Sequence, residues 1–447
     1  MKSSEKLAIA FDIGTTTIAA SLIDIETGVR LASAGSLNPQ REFGADVVLR
    51  LHAACESEEK HRTMSRLVNE EAQRLAGQLL SSANAEFNNL SGIAMAGNPT
   101  MEHLLLGLPV ASLAFPPHRP LFCTGRILRT SALGWETDAN VYLFPLPGGF
   151  VGGDLVAFLY GLFSKGVLQS NERTRQLPSP KQHELRRPDA SPLQIPSEAS
   201  LFLDLGTNAE IALVASGRIY ATSAAAGPAF EGGNLACGMA ALPGAISRVG
   251  IWGDKVTFSS LGRETPSGIC GSGVIDAVAG LLEAGVLDST GRLLSPGEIP
   301  TNLGNRVKEI GGESVFVVYQ DAERLVYLSQ KDIREVQLAK SAIRAGMEIL
   351  FTRAGISVGE VERVVLTGSF GAELSAGALK SIGILTEKMV HLTDFVREGV
   401  LAGIEKAFCC PQGFEDVDRF AELIRVIPLS GTPAFEKLFI EHMNFPK

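Results

Sequence analysis

The 447-residue chain is poor in cysteine, with six scattered residues (Cys55, Cys123, Cys237, Cys270, Cys409 and Cys410) and no CxxC spacing. Zinc ribbons and ferredoxin-type clusters need closely spaced thiolates, so neither pattern is present. The seven histidines form no HxH or HxxxH pair, which argues against a histidine metal centre, and no GxSxG nucleophile motif occurs. Long apolar runs are missing too. The most apolar stretch, Met101–Phe115, is interrupted by Glu102, His103, Gly107 and Pro109, and no span of about 20 residues qualifies as a membrane helix. The opening MKSSEKLAIAFDIG lacks the apolar core and cleavage site of a signal peptide. Positive charge is in deficit, with 40 Lys and Arg against 49 Asp and Glu and a net charge of −9. Nucleic acid and membrane surfaces are therefore not the expected partners. A reduced, cytoplasmic compartment is expected.

What is present is a globular core. Hydrophobic residues make up 45% of the chain, enough for two or three domains of about 100–200 residues each. Strand-like and helical stretches alternate, which indicates α/β architecture. A helical segment is expected from Asp46 to Leu80, a strand at Ser91–Ala96, a helix opening near Asp154, an amphipathic helix over Asp332–Arg353 and a buried strand at Val364–Leu366. Between Gln169 and Glu198 lies QSNERTRQLPSPKQHELRRPDASPLQIPSE, which holds five prolines and almost nothing that can form a core. It reads as a flexible, dispensable surface insertion, with a protein-binding loop as the alternative. The division expected is a first lobe over 1–168, the insertion over 169–198, and a second lobe over 199–447.

The most specific local signal is a pair of near-copies, FDIGTTTIAASLID at Phe11–Asp24 and LDLGTNAEIAL at Leu203–Leu213. Each reads as strand, tight turn, strand, with a glycine that permits the reversal. Glycine lets backbone N–H groups approach a phosphate, threonine adds hydroxyl donors, and the aspartate is placed for a magnesium ion or its waters. Two copies suggest duplicated lobes gripping one nucleotide.

Five elements occur in order: DxGTT, a GGD opening a helix, DLGT, a GPAFEGG loop and a strand ending in TGSFG. That order resembles the actin, sugar kinase and heat-shock chaperone ATPase (ASKHA) superfamily, whose two duplicated lobes close on Mg-ATP. The resemblance is closer to one branch, the reductive activators of corrinoid proteins. It rests on DIGTTTIAASLID, NPQREFGADVVLRL, GNPTMEHLLLG, VGGD, DLGTNAEIAL, SAAAGPAFEGGNLACGMAALPGAI, GICGSGVIDAVAGLLEAGVLD and LTGSFG, from about residue 8 to residue 385.

The resemblance implies a two-lobed fold with a nucleotide cleft between the lobes. It carries Asp12, Gly14, Thr15 and Thr16 onto the first phosphate hairpin, and Asp204, Gly206, Thr207 and Asn208 onto the second. Asp12 and Asp204 would organise Mg²⁺ and the attacking water, and Glu231 is a candidate for positioning that water. Asp154 matches the connecting segment, with a helix N-cap as its alternative role. Gly368, Ser369, Phe370 and Gly371 match the adenosine turn, although Ser369 stands where the branch usually has glycine. Gly271, Ser272 and Gly273 are a candidate anion turn at a helix start. Lys340 reads as a cation on a solvated helix face, with reach to nucleotide as the alternative.

The branch generally carries a fused iron–sulfur domain. This chain shows no cluster-forming cysteine set, so no cluster is expected and the electron is expected from a separate low-potential donor. The Asn-Ser pair that the branch tends to show is missing from Val396–Phe408. Cys409-Cys410 and Cys270 read as packed thiols, and Cys237 with Cys270 is a poor fit to the subunit-bridging cluster of the dehydratase activators. The expected function is ATP-dependent return of a Co(II) corrinoid protein to Co(I) for a cobalamin-dependent methyltransferase, with ATP or ADP and Mg²⁺ as cofactors. A small-molecule kinase and a non-catalytic nucleotide-gated module are the alternatives, and homodimerisation is left open.

Overall fold

The computed structural model describes residues 6–163, 195–368, 374–410 and 412–446. Most of the proline-rich insertion expected at 169–198, and Ser369, Phe370 and Gly371 of the adenosine turn, lie outside the described residues. The chain divides into two compact units.

In the first unit, strands β1 (Leu7–Ile13), β2 (Thr17–Asp24), β3 (Val29–Leu37), β4 (Leu90–Gly97), β5 (Arg126–Arg129) and β6 (Asn140–Leu143) form one sheet in the order β3-β2-β1-β4-β6-β5. β1 is antiparallel to β2 and parallel to β4. Leu7, Ile9, Phe11 and Ile13 share a core with Met64, Val68, Ala72, Leu75 and Leu79 of the helix Glu58–Ser82. The helical segment expected over 46–80 is two helices, Val47–Glu56 and Glu58–Ser82, because Ser57 adopts an extended backbone and caps the second. Alternation along β1 gives Ala8 and Ala10 to the opposite face, and the helix Gly399–Cys409 packs against β1 as well.

That last helix was expected in the second lobe, yet Glu398–Val426 belongs to the first unit. The cause is a close helix crossing. A Cβ on Gly403 would lie 1.8 Å from the Ala157 carbonyl oxygen, so only glycine lets this helix reach the helix Gly153–Phe163. Arg30 of β3 reinforces the contact by donating to Glu405 at 2.7 Å and by pairing with Glu398.

The second unit repeats the pattern. Strands β7 (Ser200–Leu205), β8 (Asn208–Ala215) and β9 (Arg218–Ala225) precede two small sheets, β10 (Ala245–Trp252), β11 (Lys255–Ser260) and β12 (Gly268–Ile269), then β13 (Val307–Ile310), β14 (Glu313–Gln320) and β15 (Leu325–Ser329). β16 (Arg363–Thr367) and β17 (Thr393–Phe395) follow, and β17, β16, β7, β8 and β9 run side by side in that order. β7 is antiparallel to β8 and parallel to β16, as β1 is to β2 and β4. The expected amphipathic helix spans Gln330–Ala354, opened by a reciprocal Ser329–Asp332 capping box and closed by Gly355 at φ 71°. Among the described residues, no helix is long and apolar enough to cross a membrane.

Candidate functional site

The candidate residues fall into two groups, one in each unit, both at the carboxyl ends of parallel strands where α/β sheets place their ligands. In the first unit Asp12 is half-buried near the end of β1, opposite Ala19 of β2 and Ala96 of β4. Gly14, Thr15 and Thr16 make the turn, and Gly14 leaves no room for a side chain because a Cβ there would lie 2.6 Å from the Thr17 carbonyl oxygen. Asn98 caps the helix Pro99–Leu105, accepting from the Thr100 and Met101 amides at 3.1 Å, and its Nδ2 donates to Thr15 Oγ1 at 3.0 Å.

Asp154 lies in the first turn of the helix Gly153–Phe163, where its Oδ1 accepts from the Leu155 amide at 2.7 Å. The glycines before it are needed for contact. A Cβ on Gly152 would fall 2.4 Å from the Gly97 carbonyl oxygen and 2.5 Å from Asn98 Cα, which brings this helix start against the strand end beside the Thr15 turn. Sequence reasoning missed the neighbour of Asp154. Glu102 is fully buried, and its Oε1 accepts from the Gly97 amide at 3.2 Å. Its Oε2 is buried without a hydrogen-bond partner among the described residues. Burial, and then the nearby Asp154 carboxylate, push the Glu102 carboxyl well above the usual range. Burial also raises Asp154, against two backbone N–H groups that hold it down. Glu102 stands in GNPTMEHLLLG, where it reads only as a charge interrupting an apolar run.

In the second unit Asp204 is half-buried on β7, paired with Glu210 of β8 on one side and Thr367 of β16 on the other. Gly368, which follows directly, has φ 139°, a backbone conformation that favours glycine. The second hairpin and Gly368, the first residue of the expected adenosine turn, are therefore neighbours. Gly206 and Thr207 form the hairpin turn, closed by a 3.1 Å bond from the Gly206 amide to the Asn208 carbonyl. Thr207 Oγ1 donates to Glu231 Oε2. Glu231 ends the short turn Pro228–Glu231, between Gly227 at φ 76° and Gly232 at φ 79°. The structure thus brings Asp204, Gly206, Thr207, Asn208 and Glu231 together.

Two expectations are corrected. The helix Gly271–Glu283 begins in a packed interior, with Gly271, Ser272 and Gly273 all buried. A Cβ on Gly271 would lie 1.6 Å from the Phe230 carbonyl oxygen, and Ser272 Oγ donates to the Ser247 carbonyl at 2.8 Å. Gly271 serves close approach to the Glu231 loop, and Gly273, where a Cβ would lie 2.4 Å from the Ile246 carbonyl oxygen, serves close approach to β10. Lys340 is not on a solvated face: it is 2% exposed, donates to the His442 and Asn444 carbonyls, and its Nζ lies 5.4 Å from the Phe445 ring centroid. Burial, and then the nearby Arg344, lower it to about 8. Cys270 is buried, as expected for a packed thiol, and its Sγ lies 3.4 Å from the Ile246 carbonyl oxygen.

Comparison with known proteins follows the same lines. A family model for the C-terminal domain of RACo, the ASKHA domain, matches residues 198–447, and one for the RACo middle region matches residues 7–162. The chain is similar to the corrinoid activation enzyme RamQ of Eubacterium limosum, at 32% identity over 389 residues, covering 84% of this chain and 60% of RamQ. It is 26% identical to the [Co(II) methylated amine-specific corrinoid protein] reductase of Methanosarcina barkeri, covering 84% of this chain and 65% of that protein. The solved structure of a reductive activator for corrinoid, iron–sulfur protein superposes with a TM-score of 0.84 at 27% identity, over 100% of this chain and 67% of the other. The chain thus spans 60% and 65% of the length of these two curated relatives.

Proposed function

The chain belongs to the RACo family of reductive activators of corrinoid proteins, with an ASKHA domain, and on that premise we propose that it is an ATP-dependent activator returning a Co(II) corrinoid protein to Co(I). The observation that carries this reading is the repeated topology. Each unit sets an Asp-x-Gly-Thr turn between an antiparallel hairpin partner and a parallel strand. In this reading Gly14, Thr15 and Thr16 hold phosphate, as do Gly206, Thr207 and Asn208. The turn of Gly368 to Gly371 takes the adenosine, and Glu231 orients the attacking water.

Each hairpin carboxylate, taken by itself, is of a kind that fits magnesium: Asp12 and Asp204 are each half-buried at a hairpin turn, and this ion takes one or two carboxylates, substrate phosphates and several waters. When bound it would neutralise phosphate charge, and Asp12 or Asp204 would hold it or its waters. Asp154, enclosed beside the first turn, is the candidate link between that turn and the helix Gly153–Phe163.

The coupling has a defined energetic scale. Each ~59 mV of uphill one-electron reduction costs roughly 1.4 kcal/mol. Nucleotide supplies that bias only by stabilising one state of the activator–partner complex over another. The electron is assigned to a separate low-potential donor, consistent with six dispersed cysteines.

The test follows the corrinoid visible spectrum anaerobically, with Mg-ATP and a low-potential reductant, for the wild type, Asp12→Ala and Asp204→Ala. ATP should be required for Co(I) formation, and each variant should lose turnover by about 10²-fold or more while remaining folded. Equal reduction rates with and without ATP would sink the activator reading. Turnover stimulated by a sugar or polyol would favour a kinase, and tight ATP binding without turnover a nucleotide-gated module.

A further inference from the structure

The stretch NPQREFGADVVLRL lies outside every element the proposed function uses, yet the structure folds it directly behind the first hairpin. Arg50, in the helix Val47–Glu56, is completely buried. Its Nη2 donates to the Thr15 carbonyl at 2.7 Å and its Nε to the Gly44 carbonyl at 3.0 Å. Its Nη1 reaches Gln40 Oε1 at 3.5 Å and Met101 Sδ at 3.4 Å. Asn38, also fully buried, holds the adjoining carbonyls: its Nδ2 donates to Gly14 at 2.8 Å and its backbone N–H to Thr16 at 2.8 Å. Gln40 locks Asn38 in turn by donating its amide N–H to Asn38 Oδ1 at 2.9 Å, and anchors itself on the Met64 carbonyl at 3.0 Å. Three successive carbonyls of the turn are therefore held from the interior.

A trans peptide sets its C=O and N–H on opposite sides. The Gly14–Thr15 and Thr15–Thr16 peptides are both trans. With the Gly14 and Thr15 carbonyls bound inward, the Thr15 and Thr16 N–H groups face away from the scaffold. Each peptide is also a dipole, and a permanently charged guanidinium at the carbonyl end of the Thr15–Thr16 unit reinforces the positive N–H end. A lysine-free hairpin thereby acquires anion preference from a cation that never touches the ligand.

We propose that Arg50 is a positioning residue for the first hairpin, which fixes the Thr15 and Thr16 amides outward and makes them selective for the phosphate chain of a nucleotide over its nucleoside. The inference rests on reading Gly14–Thr16 as a phosphate turn.

The experiment measures Kd for ATP, ADP and adenosine by calorimetry on the wild type, Arg50→Met and Asn38→Ala. Arg50→Met should weaken ATP by about 10-fold or more, the scale of losing a charge-supported hydrogen bond, while adenosine affinity stays within about 2-fold. Asn38→Ala, which keeps the charge and removes one strut, should weaken ATP without reproducing the full loss of preference over adenosine. Loss of all three ligands by one common factor in Arg50→Met would mean a purely structural role and overturn the inference alone. A wild type that binds none of the three would remove the nucleotide reading and the inference with it. Hydrogen exchange on the wild type does not depend on how Arg50→Met folds. ATP, but not adenosine, should protect the Thr15 and Thr16 amides, and equal protection by both would overturn the inference.

Discussion

Replacing Gly271 by alanine should dislodge Glu231 without touching any residue proposed to contact nucleotide. The new Cβ would sit 1.6 Å from the Phe230 carbonyl oxygen, 2.5 Å from its carbon and 3.2 Å from the Glu231 nitrogen. Ordinary contact begins near 3.4 Å, so the loop must retreat by about 1.5–2 Å. Alanine would otherwise favour the helix by roughly 0.5–1 kcal/mol, whereas overpacking costs about 1–3 kcal/mol, so a net loss of about 1–2 kcal/mol is expected. The functional loss should be larger. Glu231 accepts from Thr207 Oγ1, and a retreat of that size breaks the contact. Misplacement of a reacting or orienting group by about 1 Å costs on the order of 10²-fold in rate. The assay pairs urea denaturation with ATP turnover, and Gly297→Ala serves as control because nothing lies within 4 Å of a Cβ there. Gly271→Ala with wild-type stability would refute the packing argument. Lost stability with unchanged turnover would remove Glu231 from the chemistry.

Two pH predictions follow from buried charges. Burial raises the Glu102 carboxyl, so the folded state binds its proton more tightly than the unfolded chain does, and the stability this contributes at acid pH is lost as pH rises through the folded pKa. Glu102→Gln removes that loss, so its stability relative to the wild type should grow as pH rises above the ordinary carboxylate range, by up to about 1.4 kcal/mol per pH unit; a flat difference in denaturant melts would contradict it. Lys340 has the opposite sign: its folded pKa is lowered to about 8 from 10.5, so the unfolded chain binds the proton better and wild-type stability should rise with pH across that interval. Lys340→Met should abolish that rise, whatever constant offset comes from orphaning the His442 and Asn444 carbonyls, and an unchanged slope between pH 8 and 10 would exclude Lys340 as its source.

The hairpins were legible in the sequence because everything that makes them is local: an apolar run, Asp-x-Gly-Thr and a second apolar run. The duplicated sheet topology follows from those hairpins plus one parallel strand each. What escaped was set by distant partners. Lys340 reads as solvated on its own helix, and only residues 442–445, about a hundred positions later, cover it. The glycines of GICGSG look like an anion turn because glycine permits both phosphate approach and backbone approach, and only the Phe230 carbonyl decides between them. Glu398–Val426 was assigned by chain order to the second lobe, although Gly403 fits it against Ala157 in the first unit. Arg50 and Glu102 sat inside quoted motifs, but their roles depend on contacts with Thr15 and Gly97 that no spacing rule reveals.

The two hairpins share one sequence pattern and differ in what backs them. Thr15 and Thr207 occupy the same place in the Asp-x-Gly-Thr turn. Thr15 Oγ1 accepts from the Asn98 side-chain amide, so its own proton is not spent in that bond, and a guanidinium stands behind its carbonyl. Thr207 Oγ1 donates its proton to the Glu231 carboxylate. A hydroxyl cannot give one proton to two acceptors, so the first turn keeps a donor that the second commits to an acidic neighbour. The first is electrostatically suited to hold phosphate oxygens. The second carries the same hairpin carboxylate as the first, Asp204 matching Asp12, and adds Glu231 at its threonine hydroxyl. In the proposed reading both turns hold phosphate, and they differ in the hydroxyl: the one in the second turn is committed to Glu231, the residue proposed to orient the attacking water. The difference arises from residues outside the repeat itself, Asn98 and Arg50 on one side and Glu231 on the other.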